Sequence, residues 1–134
     1  MILVTDGGLN KGCMLVGYLL LAEDGSVVDS GAKQYSEGTS NMAEILAILF
    51  ALLSVRERWS QISFLYSDSQ LIVRQLTFRY KCKSRHLKPM IAAGRAFLRE
   101  SGIGIRWHKR STDSAIKVDS FIRDFAKHCP DTVE

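Results

Sequence analysis

Four acidic residues occupy positions from which their side chains can converge. Asp6 follows the short apolar run that opens the chain, and Asp68 follows a second such run just before a predicted helix. Glu44 lies in the first turn of a long predicted helix, and Asp119 lies at the margin of the apolar stripe of the last helix. In α/β sheets, groups at strand ends beside a change of strand order are where sites form.

Carboxylates that converge without partners repel one another and raise one another's pKa. Hard divalent cations remove that cost, because Mg²⁺ is held by carboxylate oxygens and water. The four acids therefore predict a site for divalent cations. Taken singly, each acid also has a structural alternative: a turn at Asp6, a capping box of Glu44 with Asn41, a helix cap at Asp68, and an ion pair of Asp119 with Arg123.

The basic residues are unevenly distributed along the chain. Of the 18 Lys and Arg residues, eleven lie between Arg74 and Arg110, together with a single acid, Glu100. The remaining segments hold seven basic residues and thirteen acids. This distribution is typical of a protein that binds a polyanion, although a solvated helical face is the structural alternative.

The pattern of apolar residues places these groups on an alternation of strands and helices. Three strands come first, at Ile2–Thr5, Met14–Leu21 and Val27 to about Tyr35, with a turn-rich stretch over 6–12. A long helix from Met42 to about Arg58 follows, with Asn41 as its cap. The remaining elements are a strand over Ile62–Tyr66, helices over Gln70–Leu76 and from Pro89 to near Ser101, a strand over Ile103–Trp107, and a helix over Ser114–His128 stopped by Pro130. The predicted order is β-β-β-α-β-α-α-β-α.

Length and composition exclude several classes of protein. A chain of 134 residues and 15.0 kDa predicts one domain over residues 1–134, and 46% hydrophobic with 24% charged residues is a globular composition. No apolar run reaches the roughly 18 residues of a membrane span. The absence of an export signal and the odd number of cysteines predict a cytoplasmic protein.

Three segments resemble the type 1 ribonuclease H family. They are Val4-Thr5-Asp6-Gly7-Gly8, Thr39-Ser40-Asn41-Met42-Ala43-Glu44 and Tyr66-Ser67-Asp68-Ser69-Gln70. The order of elements also matches that fold over nearly the whole chain. The resemblance implies an α/β fold with a five-stranded mixed sheet, strands 1–3 antiparallel, flanked by helices. It also implies an endoribonuclease that cuts the RNA strand of RNA–DNA hybrids by two-metal catalysis, leaving 5′-phosphate and 3′-hydroxyl ends.

The resemblance also implies roles for individual residues. Asp6, Glu44, Asp68 and Asp119 match the catalytic carboxylates that hold two Mg²⁺ ions, for which Mn²⁺ is a substitute. The residues that match, or lie beside, the substrate-binding positions of the family are Gly7, Gly8, Thr39, Asn41, Gln70, Lys81, Lys83, Arg85 and Lys88. The last four lie where many members carry a basic protrusion. We expect a monomer that binds the hybrid and no membrane.

The sequence departs from the family in the loop before the last helix. Many members have a mobile histidine there, whereas His108 lies at the end of the preceding strand. Ala115 replaces the usual asparagine, which makes Asp113 a rival to Asp119 for the fourth carboxylate, although we interpret Asp113 as the helix cap.

Three other functions fit parts of the sequence. The first is a non-catalytic nucleic-acid-binding domain of the same fold, and the second is another nuclease of the ribonuclease H-like superfamily. The third is a zinc module of Cys82, His86, His128 and Cys129, which have suitable ligand atoms but lack CxxC spacing.

Overall fold

The computed structural model describes residues 1–128, whose elements follow the predicted order. The strands are β1 (Ile2–Asn10), β2 (Cys13–Leu21), β3 (Val27–Glu37), β4 (Phe64–Ser67) and β5 (Gly104–Trp107). The α-helices are α1 (Ser40–Ser54), α2 (Gln70–Leu76), α3 (Lys88–Ser101) and α4 (Asp113–Lys127), and a 3₁₀ helix spans Arg56–Gln61. In this described range, each helix is too short or too polar to cross a bilayer.

The five strands form one mixed sheet in the order β3-β2-β1-β4-β5. Strands β1, β2 and β3 are antiparallel neighbours, whereas β4 is parallel to β1 and β5 is parallel to β4. This is the predicted sheet, so the predicted fold class is confirmed. The prediction of a single domain over 1–134 stays a prediction.

The first hairpin is longer than the sequence indicates. Strand β1 continues to Asn10, and only Lys11 and Gly12 form the turn, with φ values of 53° and 83°. Two residues with positive φ are typical of the tight turns that join antiparallel strands. The predicted turn over 6–12 is therefore wrong. Pairing with β2 holds the glycine-rich half of β1 extended, although glycine has a low intrinsic preference for strands.

Two predicted helix boundaries are also wrong. The N-cap of α1 is Thr39 rather than Asn41, and its hydroxyl accepts a hydrogen bond from the Met42 N–H at 3.2 Å. The same helix ends at Ser54 rather than near Arg58. The chain then turns back through the 3₁₀ helix, where the Trp59 indole donates to the Leu52 carbonyl.

The cap of the last helix differs as well. Helix α4 begins at Asp113, and its N-cap is Thr112. The interpretation of Asp113 as the cap is therefore wrong by one residue. Pro130, the predicted helix stop, lies outside the described residues.

Helices cover both faces of the sheet, and alternation along β1 assigns each side chain to one of them. Leu3 packs with the α1 side of the core, whereas Val4 packs with Val118 of α4. Continuing the alternation places Asp6 on the α4 side and Gly7 against α1. One strand thus carries an acid to one face and allows a helix to approach on the other.

At Gly7 the backbone of β1 lies close to the backbone of α1. A β-carbon at this position would lie 2.2 Å from the Ala43 carbonyl oxygen. The Gly7 N–H donates to Oε1 of Glu44 at 3.0 Å, so the absence of a side chain lets β1 fix that carboxyl. Gly8, its neighbour, has no atom within 4 Å of a β-carbon position.

We expect Gly7→Ala to destabilise the protein by about 2–3 kcal/mol, because the methyl group must push α1 away from β1. Gly8→Ala is the matched control and should be neutral or slightly stabilising. Urea unfolding followed by circular dichroism measures both variants. Equal stabilities for the two would contradict the close approach at Gly7.

Candidate active site

Three of the four predicted carboxylates form a compact cluster. Asp6 comes from β1, Glu44 from α1 and Asp68 from the residue after β4, and one oxygen of each lies within 4.8 Å of the others. Asp6 and Glu44 are buried, with exposed fractions of 7% and 6%. The cluster joins residues that are far apart in sequence, so the fold alone creates it.

The sheet topology explains why these three meet. The parallel pairing of β1 with β4 stops at Val4 and Tyr66, so Asp6 and Asp68 both lie just beyond the last paired residues. Asp68 does not cap α2, because the hydroxyl of Ser69 accepts the hydrogen bond from the Ile72 N–H. The structural alternative for Asp68 is thus wrong, and its carboxyl is available to the cluster.

Burial and mutual repulsion strongly raise the pKa values of the two buried acids, Asp6 and Glu44. Burial, followed by Asp68 and Asp119, raises the pKa of Asp6 to about 8. Burial, followed by Asp68 and Asp6, raises the pKa of Glu44 to about 10. In both cases the Gly7 N–H opposes the shift. Without a cation, the cluster therefore keeps protons at neutral pH that these acids would otherwise release.

Asp119 lies at the edge of this cluster. It lines the same cavity as the three acids and is close enough to raise the pKa of Asp6. Its carboxyl also forms the predicted ion pair with Arg123, at 2.8 Å, and is 45% exposed. Asp113 is exposed in the first turn of α4 and is not among the residues that line this cavity.

The donor set fits a hard divalent cation. All its ligand atoms are carboxylate oxygens, which Mg²⁺ and Mn²⁺ prefer, and Oδ1 of Asp68 is buried without a hydrogen-bond partner. Among residues 1–128, this cluster is the group of His, Cys, Asp or Glu side chains with metal-binding spacing. Cys129 of the predicted zinc module lies outside the described residues.

The loop after β5 supplies contacts that the sequence did not predict. Nε of Arg110 lies 3.2 Å from Oδ2 of Asp68, and the Trp107 indole donates to the Asp68 carbonyl at 3.2 Å. His108 is buried, with Nδ1 at 3.2 Å from the Ser114 hydroxyl and Nε2 unpartnered. Burial lowers the pKa of its imidazole. These contacts could have been anticipated only from the pairing of β4 with β5, because this pairing brings the loop beside Asp68.

The predicted substrate-binding residues around the cluster are accessible. Thr39 and Asn41 are exposed at the start of α1, and Gln70 is exposed at the start of α2. Gly7 and Gly8 line the cavity. The close packing of β1 against α1 already explains why residue 7 is a glycine. Their roles in binding stay predictions.

The predicted basic residues follow α2, a helix of seven residues that is about 10 Å long. Lys81, Lys83 and Arg85 are exposed in the segment 77–87, and Lys88 is exposed at the first position of α3. The connecting segment consists of turns, bends and irregular chain, without a helix of its own. A helical basic protrusion is therefore absent from this described segment.

Comparison with protein families decides the classification. The family described as reverse transcriptase-like, whose fold is that of ribonuclease H, matches residues 5–117. The chain belongs to this family. Its predicted resemblance to ribonuclease H is thereby confirmed at the level of the family. Comparison with curated proteins gave no match.

Solved structures support the same fold. Ribonuclease H1 of Halobacterium salinarum is 24% identical over 96% of this chain and 98% of its own, with a TM-score of 0.76. LC11-RNase H1, isolated from compost and solved with an RNA/DNA hybrid, is 24% identical over 92% and 97%, with a TM-score of 0.76. The N-terminal RNase H domain of a Mycobacterium tuberculosis protein is 22% identical over 94% of both chains, with a TM-score of 0.79.

We expect the stability of the metal-free protein to fall as the pH rises from about 5 to 9. The folded state holds protons on Asp6 and Glu44 that the unfolded chain has released, so their contribution is lost as the pH approaches the raised pKa values. Asp6→Asn removes one of these titrations. Its free energy of unfolding at pH 8 should therefore exceed that of the wild type by more than about 1 kcal/mol.

Thermal melting in EDTA across this pH range measures the effect. Asp113→Asn removes an exposed carboxyl outside the cavity and serves as the control. If the melting temperatures of the wild type and Asp6→Asn change in parallel across this pH range, Asp6 is ionised throughout it, which would contradict the raised pKa.

Proposed function

We propose that the chain is an endoribonuclease that hydrolyses the RNA strand of RNA–DNA hybrids with divalent metal ions and leaves 5′-phosphate and 3′-hydroxyl ends. The observation that carries this proposal is the buried cluster of Asp6, Glu44 and Asp68. Its place in a ribonuclease H-like fold supports phosphodiester hydrolysis. The LC11-RNase H1 complex with an RNA/DNA hybrid supports the substrate class.

The residues of the cluster would hold the cations in different ways. When bound, two divalent cations supply an activated water and neutralise the charge that develops on the leaving oxygen. The Gly7 N–H donates to the Glu44 carboxyl and holds it in place. Asp6 and Glu44 exchange protons for cation contacts, which couples metal binding to pH. Asp119 is half-exposed and paired with Arg123, so its carboxyl can adjust as the fourth ligand.

Exposed groups around the cluster are suited to a nucleic-acid backbone. The Thr39 hydroxyl and the amides of Asn41 and Gln70 are exposed, close in the chain to Glu44 and Asp68, and offer donors to phosphates and to the minor groove. A hybrid is distinguished by the 2′-hydroxyl on one strand and its absence on the other, across a wide minor groove. The exposed basic residues of 77–88 add affinity for phosphates without contributing to the chemistry.

A purely binding role fits the cluster poorly. Protonated acids offer phosphate groups no charge to bind and ionised acids repel them, and such a cluster destabilises the folded protein unless a cation joins it. Basic residues alone would provide binding at lower cost. Metal-dependent catalysis gives the cluster a use that binding does not.

We expect the protein to cleave the RNA of a labelled RNA–DNA hybrid in Mg²⁺ and to leave duplex DNA and single strands intact. Asp68→Asn keeps the shape of the side chain but removes its charge, so it should lower kcat by more than about 100-fold. Asp113→Asn is the matched control and should keep near-normal turnover. Gel analysis of the products and their end groups measures rate, strand choice and position of cleavage.

Two outcomes would contradict this function. Cleavage that persists in EDTA, or in Asp68→Asn, would exclude metal ions held by this cluster. Hybrid binding without cleavage in Mg²⁺ or Mn²⁺ would instead support the non-catalytic binding domain.

A further inference from the structure

Arg110 extends its guanidinium group to the carboxylate cluster from the loop between β5 and α4. Its Nε lies 3.2 Å from Oδ2 of Asp68, whose side chain is only 12% exposed, whereas the Arg110 side chain is 82% exposed. A carboxylate that is mostly shielded from water is thus paired with a cation whose own side chain is exposed to solvent.

The loop that carries Arg110 is fastened to the same stretch of chain as Asp68. The His108 N–H donates to the Ser67 carbonyl at 3.0 Å, and the Trp107 indole donates to the Asp68 carbonyl at 3.2 Å. These two contacts fix the base of the loop beside the cluster. The guanidinium is therefore kept close to Asp68, while the exposed side chain retains room to turn away.

The charge of Arg110 acts where a cation is needed. Asp6, Glu44 and Asp68 lie within 4.8 Å of one another, and a positive group reduces the repulsion among them. A divalent cation reduces it in the same way and uses the same carboxylate oxygens. Because an arginine stays charged at every pH at which the protein is folded, its competition with the metal is not relieved by deprotonation.

We propose that Arg110 is an internal counter-ion that occupies Oδ2 of Asp68 until a divalent cation displaces it, and that it thereby sets the metal affinity of the cluster. The inference rests on the proposed function only in that the cluster binds a divalent cation. It concerns the free protein and holds whether or not the bound metal supports hydrolysis.

The test is the affinity for Mn²⁺, measured by isothermal titration calorimetry on the protein without nucleic acid. Arg110→Ala should bind Mn²⁺ about two- to fivefold more tightly than the wild type, because the metal no longer has to break the ion pair. Arg110→Lys, which keeps the charge without the planar guanidinium, should fall between the two. Arg110→Gln repeats the test with a side chain of similar length, should the alanine variant fail to fold.

Lys109→Ala is the matched control, since it removes one positive charge from the adjacent residue of the same loop. Its Mn²⁺ affinity should change by less than about 1.5-fold, because screening weakens a charge that makes no contact with Asp68. Equal affinities for Arg110→Ala and Lys109→Ala, or weaker binding by Arg110→Ala, would overturn the inference. Tight Mn²⁺ binding by Arg110→Ala without hydrolysis of the hybrid by the wild type would support the inference and contradict the proposed function.

Discussion

The structure is organised around the repulsion among three carboxylates held within 4.8 Å of one another. Asp6 and Glu44 are buried, so neither water nor salt screens this repulsion effectively. Their pKa values rise to about 8 and about 10, which means that the fold forces the acids together at a cost in stability. A loss of stability of this kind is retained in a protein when the groups that cause it serve a function. Here a divalent cation reduces the repulsion among the acids.

Each of the three acids is contributed by a different part of the fold. The parallel strands β1 and β4 end their pairing together, which leaves Asp6 and Asp68 side by side. Gly7 lets α1 come close enough for Glu44 to join them from the other face of the sheet. Helix α4 adds Asp119 at the edge, and the loop before it adds Arg110. No single element could place these groups, so the site depends on the whole sheet.

Much of this arrangement was predictable, because hydrophobic periodicity determines the order of elements and the acids lie at their ends. The extension of β1 through Gly7 and Gly8 was not predictable, because pairing with β2 overrides the low strand preference of glycine. The cap at Thr39 and the end of α1 at Ser54 depend on local hydrogen bonds that periodicity does not reveal. Arg110 was counted only as part of a basic segment, because its contact with Asp68 is created by the pairing of β4 with β5. The cytoplasmic location and the monomeric state stay predictions.

The most direct test of the central claim, that a divalent cation takes the place of protons in this cluster, is the number of protons released when Mn²⁺ binds. Titration calorimetry at pH 7 in buffers of different ionisation enthalpy measures this number. Since Asp6 and Glu44 hold protons at that pH, saturation should release about one to two protons per chain. Binding of Mn²⁺ without proton release would contradict the account, because the ligands would then already be ionised or the metal would lie elsewhere.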